Sequence, residues 1–124
     1  GVPTAEIIAA QCFAAGFRSY SSAVFSFLPE FAFAYYRAVR DGKRAEVDRL
    51  LNAFYLPVAG IRARRRGYAV SIVKAGLRLA GRGAGPVRPP LIELAAADAE
   101  ELSALIDWAR NDLARAVAAP AAAE

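Results

Sequence analysis

Few side chains in this 124-residue sequence can do chemistry, and their placing limits what that chemistry could be. Ser21 and Ser22 offer adjacent hydroxyls inside SYSSAVF. Read from composition alone, they are hydroxyls filling a strand and satisfied by their neighbours. The only lysines are Lys43 and Lys74, and a lysine amine can form an imine with a ketone. Lys74 lies on an apolar helix, where an ion-paired or snorkelling structural role is expected. Cys12, the one cysteine, sits on an apolar helical stretch and reads as a small buried side chain, not a nucleophile. Histidine is absent, which removes the commonest general base and the commonest metal ligand, so no metal site is expected. Arg62, Arg64, Arg65 and Arg66 form one basic run at the expected end of a long helix, where cations complement the dipole. Asp98, Glu100 and Glu101 read as acids at a helix start, not as a catalytic carboxylate pair.

These groups must be positioned by short elements. Thr4 to Ala15 reads as a helix, with Thr4 able to cap it, Glu6 suited to its positive end and Gly16 closing it. Ile7, Ile8, Gln11 and Cys12 share one of its faces, mostly apolar. Aromatic and β-branched residues then rise, and a buried strand is expected from Ser19 to Phe25. A lone strand leaves both edges unpaired, so its partners must lie elsewhere. Pro29 opens a helix running to about Asp41 and stopped by Gly42. Another runs from near Ala45 to about Arg64, kinked at Pro57. The stretch from Gly67 to Pro90 reads as an apolar helix covered over most of its circumference, a glycine stop and an extended exit locked by Pro86, Pro89 and Pro90. The last helix is expected near Asp98, with Asp98 and Glu101 at capping-box spacing and Leu102, Leu105, Ile106, Ala109 and Leu113 on one side. Ala118 to Glu124 is an alanine-rich tail.

Apolar residues make up 56% of the chain, more than a short free-standing domain normally needs, which points to faces meant for partners. The absence of methionine and the start at Gly1 lead to the expectation of a C-terminal fragment. The formal net charge of +4 permits anionic partners without choosing among them. Nucleic-acid binding would want basic residues along a face with aromatics to stack, whereas the aromatics here belong to other segments. No apolar run approaches the ~18 residues of a membrane span and no signal peptide is visible, so a cytoplasmic protein without a membrane partner is expected.

The combination of SYSSAVFSFLPEFAFAYYRAV, GYAVSIVKAGLRLAG and AGPVRPPL resembles the C-terminal part of the 5-dehydro-4-deoxyglucarate dehydratases, in the dihydrodipicolinate synthase and N-acetylneuraminate lyase superfamily. The resemblance runs from GVPTAE to about Trp108. It implies a fold class that is mostly α with one buried strand: the C-terminal portion of a (β/α)8 TIM barrel plus its helical extension. Residues 1–42 would be the loop after strand seven, helix seven, strand eight and helix eight. Residues 43–124 would be the extension. The implied reaction is dehydration and decarboxylation of a 4-deoxy-5-keto hexarate to 2,5-dioxopentanoate, carbon dioxide and water, with no cofactor. It uses a Schiff-base lysine and a tyrosine, both expected before Gly1, so the chain by itself should be inactive. As partners the resemblance implies the keto-hexarate substrate and a homo-oligomer, often a tetramer.

The same resemblance gives the candidate site. Gly1, Pro3 and Thr4 match a loop that contacts substrate. Ser21 matches the strand-eight position whose backbone carbonyl approaches the lysine, and Ser22 and Ala23 match substrate contacts. Ser26 stands where relatives commonly carry asparagine, which would weaken a bond to neighbouring backbone. Two other readings stand beside this one: a small helical interaction module without catalysis, and a nucleic-acid-binding helical protein using the arginine run.

Overall fold

Helix ends written in the sequence set the course of the chain. The structure is a computed structural model and describes residues 5–119. It opens with a 3₁₀ turn, Ala5–Ile8, that runs into helix α1, Ala9–Ala14. Six α-helices follow one another among the described residues: α1, α2 (Pro29–Arg40), α3 (Arg44–Leu50), α4 (Leu56–Ala63), α5 (Tyr68–Leu79) and α6 (Ala96–Ala118). Pro29 occupies the first turn of α2, where its missing N–H costs nothing. Gly42 ends α2 at φ 67°, a left-handed conformation that lets Lys43 N–H reach Ala38 C=O at 2.9 Å. Gly16 and Gly81 close α1 and α5 with the same pair of reverse hydrogen bonds.

The long helix expected from Ala45 to Arg64 is interrupted. A π turn, Leu51–Tyr55, separates α3 from α4, and Pro57 sits in the first turn of α4. Proline has no N–H for the i−4 carbonyl, and the wider turn before it is one way a chain absorbs that fault. The adjacent residues Phe54 and Tyr55 are both buried there.

The core gathers on α2. The Phe31 ring lies 4.7 Å from Phe54, 5.9 Å from Tyr55 and 6.2 Å from Trp108, centroid to centroid, joining α2, the π turn and α6. Leu50, Ile61, Leu102 and Ile106 complete it, all nearly inaccessible to solvent. At the surface Arg49 clasps Glu46 at 2.7 Å and Asp112 at 2.8 Å, pinning α3 to α6. Where α5 crosses Phe27, Gly76 lets the backbone approach the aromatic ring directly.

Several expectations are corrected. Ser19 to Phe25 is not a strand: residues 17–22 are irregular, and Val24–Ser26 is a 3₁₀ turn. A strand is held by a ladder to its neighbour, and no strand occurs among the described residues. The chain satisfies its amides locally instead, through Ser26 N–H to Ala23 C=O (3.2 Å) and Leu28 N–H to Val24 C=O (2.8 Å). The buried face of the first helix holds Glu6 and Ala9, while Ile8 and Gln11 are exposed. α5 is covered on one side only, with Val70 and Leu79 exposed. α6 begins at Ala96, and Asp98 makes no cap. Its carboxylate instead takes Arg64 at 2.5 Å and the Tyr68 hydroxyl at 2.8 Å. Thr4 as a helix cap, and the tail beyond Ala119, lie outside the described residues.

Candidate functional site

The segment that carries Ser21, Ser22 and Ala23 joins α1 to the Val24 turn and is held from below by Glu6. Glu6 is fully buried, and its Oε1 accepts the Val24 N–H at a long 3.4 Å. Its backbone carbonyl accepts the Tyr35 hydroxyl at 2.7 Å. Tyr36 donates to the Arg18 carbonyl at 3.3 Å, and Arg82 donates to the Phe27 carbonyl at 3.3 Å. The far ends of the segment are thus tied to α2 and to the end of α5.

Within it the side chains part to opposite sides. Ser22 faces an aromatic cleft of about 250 Å³ formed with Tyr20, Phe25, Phe33 and Tyr36. Its Oγ also accepts the Phe25 N–H at 3.2 Å. Ser21 and Ala23 border a different recess, of about 290 Å³, walled by Val24, Phe27, Val58 and Ile72. Arg62 from α4 stands on the rim of this second recess. The structure therefore brings Ser21 and Ala23 together and turns Ser22 away from them. Gly1, Pro3 and Thr4 lie outside the described residues.

The tyrosines under the segment stay protonated. Burial pushes the phenols of Tyr20, Tyr35 and Tyr55 above their ordinary values. The charge of Glu6 pushes all three the same way. They are hydrogen-bond donors, not bases. Two buried polar atoms, Glu6 Oε2 and the Tyr55 hydroxyl, have no partner among the described residues.

Neither lysine approaches the recess. Lys74 has the structural role expected of it, but with carbonyls in place of a carboxylate: it donates to Ala84 C=O at 3.2 Å and Pro86 C=O at 2.6 Å, holding the glycine-rich exit against α5. Lys43 is exposed just after α2. Cys12 is only half-buried. The arginine run divides. Arg64 pairs with Asp98 and with Glu101 at 2.7 Å, Arg65 and Arg66 are exposed, and Arg62 is half-buried. No cluster of metal-ligating side chains occurs among the described residues, and no described helix is long and apolar enough to cross a membrane.

Two features were missed in the sequence. Glu6 shares a helical face with Ala9, Ala10 and Phe13, spacing that signals burial in spite of the charge. Arg62 follows buried Val58 by one turn, so the same periodicity turns it inward relative to the arginines after it.

A sequence model of the dihydrodipicolinate synthetase family matches residues 4–109. Among curated proteins, a "Probable 5-dehydro-4-deoxyglucarate dehydratase" of Methylobacterium radiotolerans is 57% identical over 106 residues, which is 86% of this chain and 35% of that protein. Proteins of the same description from Chelativorans sp. and Cereibacter sphaeroides are 50% and 51% identical, over 86% and 90% of the chain. The chain spans about a third of the length of the curated relatives it matches, 35% to 37% of each of these three.

Proposed function

The chain belongs to the dihydrodipicolinate synthetase family, and on that premise we propose that it is the C-terminal part of a Schiff-base lyase that dehydrates and decarboxylates 5-dehydro-4-deoxyglucarate. The observation that carries this reading is the 57% identity across 106 residues to a relative described as such a dehydratase. Residues 1–42 are then the end of a TIM barrel, with Ser19 to Phe25 as its eighth strand once neighbouring strands supply a ladder. Residues 43–124 are its helical extension. Gly1, Pro3, Thr4, Ser21, Ser22 and Ala23 contact substrate, and the assembly is a homo-oligomer of tetrameric type.

The overall reaction balances as keto-hexarate to 2,5-dioxopentanoate, carbon dioxide and water. Its imine-forming lysine must come from outside this chain, because Lys74 is committed to carbonyls on the far side of α5 and Lys43 lies in solvent. The parts left to this chain are positioning ones: a segment of small side chains through which substrate can approach closely, and protonated tyrosines beneath it that hold its backbone.

The test is a chimera in which this chain's matching residues replace the equivalent third of the Methylobacterium relative. The chimera is expected to release carbon dioxide from 5-dehydro-4-deoxyglucarate and to be trapped as a reduced lysine adduct by borohydride. A folded chimera with neither property, beside a parent with both, overturns the reading. The interaction-module reading draws on the exposure of Phe17, Phe25 and Phe33. A nucleic-acid role loses support because Arg64 is committed to Asp98 and Glu101.

A further inference from the structure

The geometry points to a carboxylate-binding site in the recess beside Ser21, with Arg62 as the residue that receives the anion. The inference rests on the proposed lyase reading for its choice of ligand, a short polyhydroxy diacid, but not for the site itself.

Arg62 is the one arginine of its run that is half-buried. Among the described residues it has no ion pair and no hydrogen bond, whereas Arg64, one step away, holds two carboxylates. No carboxylate borders the recess among the residues that line it. Asp98 and Glu101 are taken by Arg64, and the Glu6 carboxylate is turned to Val24 N–H. The remaining wall is apolar apart from the Ser21 hydroxyl. A guanidinium on the rim of a low-dielectric recess attracts an anion more strongly than one in open water. Its planar fork matches a carboxylate with two parallel N–H donors. Ser21 can add a third hydrogen bond from across the recess, and Val58 and Ile72 can cover an aliphatic carbon chain. The volume, about 290 Å³, suits one end of a six-carbon acid better than a bulky ring system. Arg62 is thereby a specificity-determining residue. It favours an acid that carries a second carboxylate over one that ends in a hydroxyl.

The probe is D-glucarate, titrated into the 124-residue chain and followed by amide and arginine Nε–H resonances, with glucitol as the uncharged control and sulfate as a general anion. Glucarate should shift Ser21, Ala23 and the Arg62 Nε–H saturably, and glucitol should shift none of them. Arg62→Gln should weaken binding about tenfold or more, Ser21→Ala a few-fold, and Arg62→Lys by an intermediate factor, since lysine keeps the charge and loses the fork. Arg65→Gln, on the exposed part of the run, should leave the affinity unchanged. Unchanged peak dispersion shows that each variant folds. The proposal is overturned if glucarate and sulfate shift Arg65 and Arg66 as much as Arg62. Equal affinity of Arg62→Gln and the parent chain also overturns it. Glucarate binding to the chain together with an inactive chimera sinks the lyase reading and leaves this site standing. An active chimera whose Arg62→Gln form keeps its KM does the reverse.

Discussion

Gly76 meets the face of Phe27 so closely that a Cβ built on it would lie 2.6 Å from the ring. The ring cannot swing away, because Phe27 is itself 3% exposed and sits between α2 and α5. Gly76→Ala should therefore overpack this contact and cost about 1–3 kcal/mol, although alanine is the better helix former. Urea unfolding of the two proteins checks it. An unchanged or higher midpoint would show that α5 can slide off Phe27.

A second prediction concerns the buried Glu6 carboxylate. One oxygen is bonded to Val24 N–H and the other is unpartnered near protonated tyrosines. Glu6→Gln keeps an acceptor for Val24 and places a donor where an orphaned acceptor was, with the unpartnered Tyr55 hydroxyl among the buried oxygens of the same cluster. It should stabilise the chain by about 1 kcal/mol. Glu6→Ala should destabilise it, since both the Val24 bond and the packing are lost. Thermal unfolding of the three proteins decides, and a Gln variant less stable than the Ala variant would contradict the account.

The pH dependence follows from Asp98. The Arg64 guanidinium, and after it the Tyr68 hydroxyl, hold the Asp98 carboxyl below the usual carboxylate range. A lowered folded-state value means a contribution that is complete above the unfolded value of about 4 and lost as pH falls through the folded one. The parent chain should thus lose stability in acid more steeply than Asp98→Asn below about pH 4. Glu46 and Glu93, held low first by Arg49 and Arg78, add acid sensitivity that the substitution leaves in place. Denaturant midpoints across acid pH give the two slopes, and parallel curves would remove Asp98 from the explanation.

Lys74 ties the glycine-rich exit to α5 through two carbonyls. Lys74→Ala should speed amide exchange at residues 83–88 while amides inside α5 keep their protection. Global stability should fall by only about 1 kcal/mol. Equal acceleration throughout α5 would mean that the lysine supports the helix and not the exit.

Helix ends were legible because their causes are local: Gly16, Gly42 and Gly81 each end a helix where the sequence placed the stop, and Pro29 opens α2. The apolar side of α6, with Leu102, Ile106 and Ala109 buried, was readable from its spacing. Ser19 to Phe25 was misread because β-branched and aromatic content reports a preference, whereas a strand is made by its neighbours. The Asp98–Glu101 spacing suggested a cap, but Arg64 and Tyr68, distant in sequence, compete for the same carboxylate. The divergence of Ser21 and Ser22, and the arrival of Arg62 beside only one of them, depend on how α4 packs. No local pattern encodes that.

The π turn at Leu51–Tyr55 has a reach beyond its own five residues. Deleting one amino acid there would restore regular winding and spin everything downstream by about 100° relative to α3. Val58 and Ile61 would then roll outward and Arg62 would leave its recess. The phase of the cation beside Ser21 is set by a single surplus residue two turns upstream, so evolution can retune that anion contact by insertion or deletion without touching the arginine.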